Sequence, residues 1–228
     1  NKHDQIKAFV KEELEIFGGP LYMPETVLET DMEKTSVSSD VKTLSEFNNV
    51  IENCMNCPLG ATRTNFVFGA GNPDADVMFV GEAPGEKEDL EGLPFVGRSG
   101  KLLTDILKAI DLTRDDVYIA NILKCRPPKN RDPNKAEIEE CEPYLLKQIE
   151  MIKPKLLVAL GRISATTLLR TKDSLTSMRG QVFDYHGTDM VVTYHPAALL
   201  RNPNWKRPAW EDFKKIREMY LEKRGEQA

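Results

Sequence analysis

The sequence predicts an α/β fold: a three-layer α/β/α sandwich built on a central, mostly parallel four-stranded sheet. Three observations point to it. Four short runs, Val77-Met78-Phe79-Val80, Val117-Tyr118-Ile119-Ala120, Leu156-Leu157-Val158-Ala159-Leu160 and Val191-Val192-Thr193-Tyr194, are apolar at successive positions, as strands covered on both faces must be. Helical patterns near residues 98 to 110, 134 to 151, 163 to 170 and 208 to 223 separate or follow the runs, the alternation of a parallel sheet flanked by helices. The length, 228 residues of which 40% are apolar and 29% charged, suits one full core and excludes three ordinary domains.

Ahead of these elements, Ile6, Val10, Leu14 and Phe17 recur at helical spacing, and Gly18-Gly19-Pro20 stops the helix they predict. From there to Asp40 the chain is polar without periodicity and reads as a linker. Asp40 is the expected N-cap of a helix whose face is Val41, Leu44, Phe47 and Ile51. The organisation is thus an N-terminal extension over 1–45, a short helix plus linker, and a main domain over 46–228. Within the 134 to 151 pattern, Ile138, Cys141, Leu145 and Ile149 share a face, but Pro143 must kink or restart the helix. A restart would put Cys141 beside a fresh helix N-terminus, where a thiolate is favoured.

No stretch approaches eighteen apolar residues, and nothing behind Asn1-Lys2-His3-Asp4 resembles a signal sequence. Neither a membrane span nor secretion is expected. Four cysteines then imply a reducing, cytoplasmic location, nucleoid-associated in a prokaryote. The net charge of −5 argues against a surface that grips a polyanion all over, and leaves room for a local basic groove.

Cys54 and Cys57 form a C-x2-C pair, while Cys125 and Cys141 stand fifteen residues apart. A thioredoxin-like redox pair would follow a strand and open a helix, whereas Pro58-Leu59-Gly60 follows this one. Scattered structural cysteines, Zn²⁺ and an iron–sulfur cluster all remain open on spacing alone.

Ligands of open parallel sheets bind beyond the carboxyl ends of the strands. The residues there are Gly81-Glu82-Ala83-Pro84-Gly85, Asn121, Gly161-Arg162 and His195-Pro196. Together with Cys54-Met55-Asn56-Cys57-Pro58-Leu59, Pro94-Phe95-Val96-Gly97-Arg98-Ser99-Gly100-Lys101-Leu102-Leu103, Asn121-Ile122-Leu123-Lys124-Cys125-Arg126-Pro127-Pro128 and His195-Pro196-Ala197-Ala198-Leu199-Leu200-Arg201, they make the chain resemble the iron–sulfur (family 4) uracil-DNA glycosylases, from about Asn53 to Trp210.

The resemblance implies a uracil-DNA glycosylase-like fold, a structural 4Fe-4S cluster on Cys54, Cys57, Cys125 and Cys141, and hydrolysis of the bond between uracil and deoxyribose in single- or double-stranded DNA. It assigns Asn121 to reading the uracil edge, Phe95 to stacking on the flipped base, and His195 to donating to the oxygen where negative charge develops. Backbone amides at Ala83 and Gly85 would contact the base. Ala83 has a methyl where a better-studied branch places a water-serving aspartate, so Asn130 and Glu88 are the expected water-positioning or charge-stabilising groups, with Glu82 mainly organising its loop. Gly85 replaces a bulky residue that excludes the thymine methyl in that branch. Lys124, Arg126, Lys129 and Arg131, a cationic stretch stiffened by prolines, would track phosphates. Leu199 would wedge into the vacated stack, with Arg201, Lys206 and Arg207 on the adjacent backbone. A relative that cross-links itself to DNA does so through a histidine after the second run; residues 125 to 133 contain none, so turnover is expected.

A monomer is expected, with 1–45 open to a replication or repair partner that no motif specifies. Two other readings stand beside the enzyme: an inactive iron–sulfur DNA-binding module, which Ala83 permits, and a glycosylase domain of a replication complex. The charge distribution sharpens the first impression, since residues 1 to 45 carry −4 and residues 46 to 210 only −1.

Overall fold

The computed structural model describes residues 41–225. The helix expected over 1–17 and the linker after it, with Asp40 itself, lie outside the described residues. Six strands form one sheet in the order β1-β3-β2-β4-β6-β5: β1 (Ala70–Gly71), β2 (Val77–Gly81), β3 (Tyr118–Asn121), β4 (Leu156–Leu160), β5 (Val182–Tyr185) and β6 (Thr188–Thr193). The four expected runs supply β2, β3, β4 and β6, which pair in parallel. The sheet has six strands instead of four because β1 and β5 add antiparallel edges. Neither edge carried an apolar run: β1 is two residues long, and β5 leaves Val182 and Asp184 exposed. A two-residue turn joins β5 to β6, with positive φ at His186 (51°) and Gly187 (84°), the geometry that matches the strand twist.

The helices are α1 (Leu44–Ile51), α2 (Glu86–Glu91), α3 (Arg98–Ala109), α4 (Lys135–Ile152), α5 (Arg162–Leu168), α6 (Leu175–Met178), α7 (Pro196–Arg201) and α8 (Lys206–Arg224). Strand side chains alternate between two cores. Met78, Val80, Ala120, Leu157, Ala159 and Val192 pack with Leu145 of α4 and Ala165 of α5. Val77, Phe79, Ile119, Val158 and Val191 pack with Leu103 of α3 and Phe213 of α8. These are the three layers. The leftward step β2 to β3 runs through α3 on one face, and the rightward steps to β4 and β6 run through α4 and α5 on the other, as right-handed crossovers require. The chain therefore diverges at the β2–β4 boundary, the switch point where such sheets open a crevice.

Two local expectations are corrected. Thr43, not Asp40, caps α1: its side chain accepts from the Glu46 amide at 3.1 Å while Glu46 accepts from the Thr43 amide at 3.0 Å, a reciprocal capping box. The expected domain boundary at 45/46 thus falls inside α1, whose Phe47 and Ile51 are buried. Second, α4 runs unbroken through Pro143, so Cys141 does not sit beside a new N-terminus but on the buried face of a continuous helix. The carbonyl that Pro143 leaves without its helical donor belongs to Glu139, an exposed residue.

One ion pair ties α8 to the sheet. Asp212 accepts from Arg179 Nε at 2.7 Å and Nη2 at 3.0 Å, and from Thr193 Oγ1 at 2.6 Å, with both charged side chains nearly buried. Removing one partner strands the other charge. Asp212→Ala is expected to cost about 3 kcal/mol in urea unfolding; a loss below about 1 kcal/mol would contradict this account.

Candidate active site

The carboxyl ends of β2, β3, β4 and β6 open into a cleft of about 630 Å³ whose wall includes Glu82, Ala83, Gly85, Glu88, Phe95, Asn121, Asn130, Arg131, Gly161, Arg162, His195, Arg201 and Trp205. Most of the residues expected at the site thus line one cavity, drawn from segments far apart in sequence.

Asn121 ends β3 opposite Gly81 of β2. Its side chain is buried and its Oδ1 has no hydrogen-bond partner. Burying a carbonyl oxygen unpaired costs about 1–3 kcal/mol, so this atom is poised for an N–H donor. The approach is possible only because residue 81 is glycine: a Cβ there would lie 2.3 Å from Asn121 Oδ1 and 2.7 Å from the Phe95 ring.

Phe95 is held in a left-handed conformation (φ 54°), uncommon for an aromatic residue and strained by about 1–3 kcal/mol. Three contacts enforce it. Arg114 donates to the Phe95 and Pro94 carbonyls at 3.1 and 2.7 Å, Glu88 Oε1 accepts from the Val96 and Gly97 amides at 3.0 and 2.9 Å, and α3 passes so close that a Cβ on Gly100 would lie 1.8 Å from the Phe95 carbonyl. The ring stacks on His195, centroids 5.3 Å apart at 29°.

His195 caps α7 with its own ring: Nδ1 accepts from the Ala197 amide at 3.1 Å. An accepting Nδ1 leaves the proton on Nε2. Enclosure by protein, and secondarily the positive charge of Arg201, press its pKa down to about 4 against a weaker pull from Glu88. The imidazole is therefore a neutral donor near neutral pH.

The two carboxylates differ in what they hold. Glu88 is the one that organises the loop, through the two amides above. Glu82 has no hydrogen bond from its side chain among the described residues, and burial, with repulsion from Asp132, lifts its pKa to about 7 despite Arg162 and Arg201. Asn130 lines the cleft, but its Oδ1 already accepts from Arg126 Nε at 2.7 Å. The amides of Ala83 and Gly85 make no hydrogen bond among the described residues.

Two expectations for DNA contacts are overturned. Lys124 is fully buried. Its Nζ donates to the Asn121 carbonyl at 2.9 Å and to Gln148 Oε1, so it braces the end of β3 against α4 and faces no phosphate; burial pulls its pKa down to about 8. Leu199 is also buried, packed with Tyr194 and Ala209, and cannot wedge into DNA as it stands; its neighbour Leu200 is the exposed apolar side chain, at 37%. Of the rest, Lys129 and Arg201 are exposed, Arg126 is held by Asn130, and Arg131 forks onto Glu137. Sequence reasoning also missed Arg114, which had no motif around it, and the steric demand at Gly81.

The cysteines are free and gather beyond the α4 face of the sheet. Arg63 Nη1 donates to the Cys54 carbonyl at 2.6 Å and to Cys125 Sγ at 3.4 Å. Tyr144, one turn after Cys141 on α4, donates to Cys54 Sγ at 3.2 Å, and the Lys124 amide donates to Cys141 Sγ at 3.2 Å. Three sulfurs are thus hydrogen-bond acceptors, the state suited to thiolates, although burial pushes the bare Cys141 thiol up to about 12. Among the described residues no group of three or more His, Cys, Asp or Glu side chains is placed to hold a metal ion.

Residues 68–214 match the family described as the uracil DNA glycosylase superfamily. The chain is 50% identical to the Type-4 uracil-DNA glycosylase of Sulfurisphaera tokodaii over 78% of its own length and 85% of the relative's. It is 44% identical to that of Archaeoglobus fulgidus, over 78% and 94%, and 45% identical to that of Thermotoga maritima, over 77% and 93%.

The His195 geometry is checked by nitrogen-detected NMR titration. The Nε2-H tautomer is expected to persist down to about pH 4. Because the unfolded chain takes up this proton near 6.5 and the fold resists it, the residue's contribution to stability should be full above pH 6.5 and decline as the pH falls towards 4. An imidazole titrating at 6.5 in the folded protein would overturn it.

Proposed function

The chain belongs to the uracil DNA glycosylase superfamily, and from that membership we propose that it flips uracil out of DNA and hydrolyses the bond between base and sugar, leaving an abasic site. The observation that carries the reading is the orphaned Oδ1 of Asn121 at the floor of the cleft. Uracil presents an N3-H to pair with it, and the same amide's NH₂ can donate to O4; cytosine offers an acceptor and an amine in those places, and mismatches both.

Cleavage is heterolytic. The C1′–N1 bond breaks, its electron pair leaves with the base as an anion, and the sugar gains oxocarbenium character. His195 Nε2-H donates to the uracil oxygen that takes up the charge, and a neutral donor does so without a proton leaving the ring. The free amides of Ala83 and Gly85 are further donors for the base, and Phe95 offers its cleft face for stacking. A water adds to C1′ and loses a proton. Glu82, unpaired and with a pKa near 7, suits that base better than Glu88, whose carboxylate is taken up by the loop amides; Asn130 can orient the water once Arg126 turns to a phosphate. Arg126, Lys129, Arg131 and Arg201 surround the mouth and suit the DNA backbone.

Cys54, Cys57, Cys125 and Cys141 would hold a 4Fe-4S cluster as its thiolate ligands, in a structural rather than redox duty. When bound, the cluster would staple the α1–β1 segment, the β3 loop and α4 together. The protein's own part is to supply hydrogen bonds to the sulfurs from Arg63, Tyr144 and the Lys124 amide. A cytoplasmic, DNA-associated location fits this function; no helix among the described residues is long and apolar enough to cross a membrane.

The test is a duplex carrying a single uracil, scored for alkali-labile sites. Purified protein should convert it catalytically, and Asn121→Ala should lose at least about a hundredfold in kcat/KM; no conversion at stoichiometric protein would refute the reading. The rate should rise with pH through about 7 as Glu82 ionises, and Glu82→Gln should abolish that limb while lowering the rate about a hundredfold. A limb unchanged in Glu82→Gln would exclude it as the base. Cys141→Ala should lose iron and visible absorption, and full iron content in that variant would remove Cys141 from the ligand set.

A further inference from the structure

At the mouth of the cleft an indole stands exposed on a rigid support. Trp205 ends a 3₁₀ turn, Pro203–Trp205, and its amide donates to the Asn202 carbonyl at 3.0 Å. The ring stacks on Tyr194, with centroids 4.9 Å apart at 16°. Tyr194 is itself pinned: the Arg179 guanidinium lies 4.3 Å from its centroid and donates to its hydroxyl at 3.2 Å, and Arg179 is locked onto Asp212. Tyr194 is buried, yet Trp205 remains 39% exposed while lining the cleft. One face of the indole is stacked on Tyr194, and leaving so large an apolar surface in water on so well-braced a support gains nothing for folding.

The surroundings indicate what covers it. Residues 200 to 207 are exposed throughout. Arg201, Lys206 and Arg207 flank the indole, and none of them forms an ion pair among the described residues. Unpaired cations beside a fixed aromatic platform are the combination that binds single-stranded nucleic acid: the charges follow the phosphates and a base stacks on the ring whatever its identity. A base inside a duplex cannot use such a platform, because its faces are already occupied by its neighbours.

We propose that Trp205 is a second base subsite, which stacks an unpaired nucleobase next to the flipped nucleotide and so favours uracil in single-stranded or locally melted DNA. The inference rests on the reading of the cleft as the seat of a base flipped from DNA. It adds a contact that neither the cysteine cluster nor the uracil-reading groups provide.

The chain has two tryptophans, Trp205 and Trp210, so Trp210→Phe leaves Trp205 as the only indole. In that background, saturation with a single-stranded thymine oligonucleotide without uracil should quench the emission, and the same sequence as a duplex should quench it far less. By anisotropy with labelled oligonucleotides, Trp205→Ala should weaken single-strand binding about tenfold and duplex binding less than threefold, with Trp205→Phe restoring most of the loss. Emission unchanged at saturation, or an equal loss on single strand and duplex, would overturn the subsite. If Trp205→Ala does not fold, the emission experiment decides alone. Because these oligonucleotides carry no uracil, the result stands apart from excision: quenching without cleavage of uracil DNA would sink the glycosylase reading and not the subsite.

Discussion

The cleft depends on one close approach, that of the Asn121 amide and the Phe95 ring to the bare backbone of Gly81. A methyl group at 81 would fall inside the contact radius of both, so the floor of the cleft exists only because β2 ends in a residue without a side chain. That approach sets the rest of the site. It brings β3's last side chain and the Phe95 ring together over the end of β2, with Phe95 held in a left-handed conformation and its ring stacked on His195, which follows β6 at the same edge. Glu88, Arg114 and Gly100 then supply what the strained turn needs to persist. Preorganisation of this kind is what an electrostatically driven reaction requires, since donors already in place need not be reorganised as charge develops.

Lys124 joins this floor to the cysteines. Its side chain holds the Asn121 carbonyl and Gln148 of α4, and its backbone amide holds Cys141 of the same helix. Asn121 and the cysteine Cys141 are therefore two ends of one hydrogen-bonded chain. Whatever fixes Cys141 on α4 is thereby coupled through Lys124 to the end of β3. A buried lysine without a carboxylate partner is costly, and the neighbouring Cys141 and Cys125 pull its pKa back up against the burial.

Much of the fold was legible in advance. The four apolar runs gave the parallel strands because a strand covered on both faces has no polar alternation to hide, and the site residues after them followed from where a parallel sheet points its carboxyl ends. The edge strands were not legible: β1 is too short for a pattern, and β5 is half exposed. Pro143 was over-read, because a helix end was inferred from one missing N–H whose partner carbonyl lies on an exposed turn. The partners of the two carboxylates were not legible for the same kind of reason. Glu82 and Glu88 look alike in sequence, and only the path of the 94–97 loop shows which one is occupied by amides.

What the sequence determined by itself was the layer architecture, the gathering of Asn121, Gly161-Arg162, His195 and the first glycine-rich segment at one edge, and the supply of four thiols. These follow from periodicity and residue chemistry, which are local. Tertiary structure alone decided which charges are free. Lys124 reads as surface in a cationic run and is wholly buried; Leu199 and Leu200 are adjacent leucines, one inside and one outside; Trp205 carries no motif and stands at the mouth of the cleft. Burial is a property of what other segments pack against a residue, and those segments come from distant parts of the chain, so no local pattern encodes it.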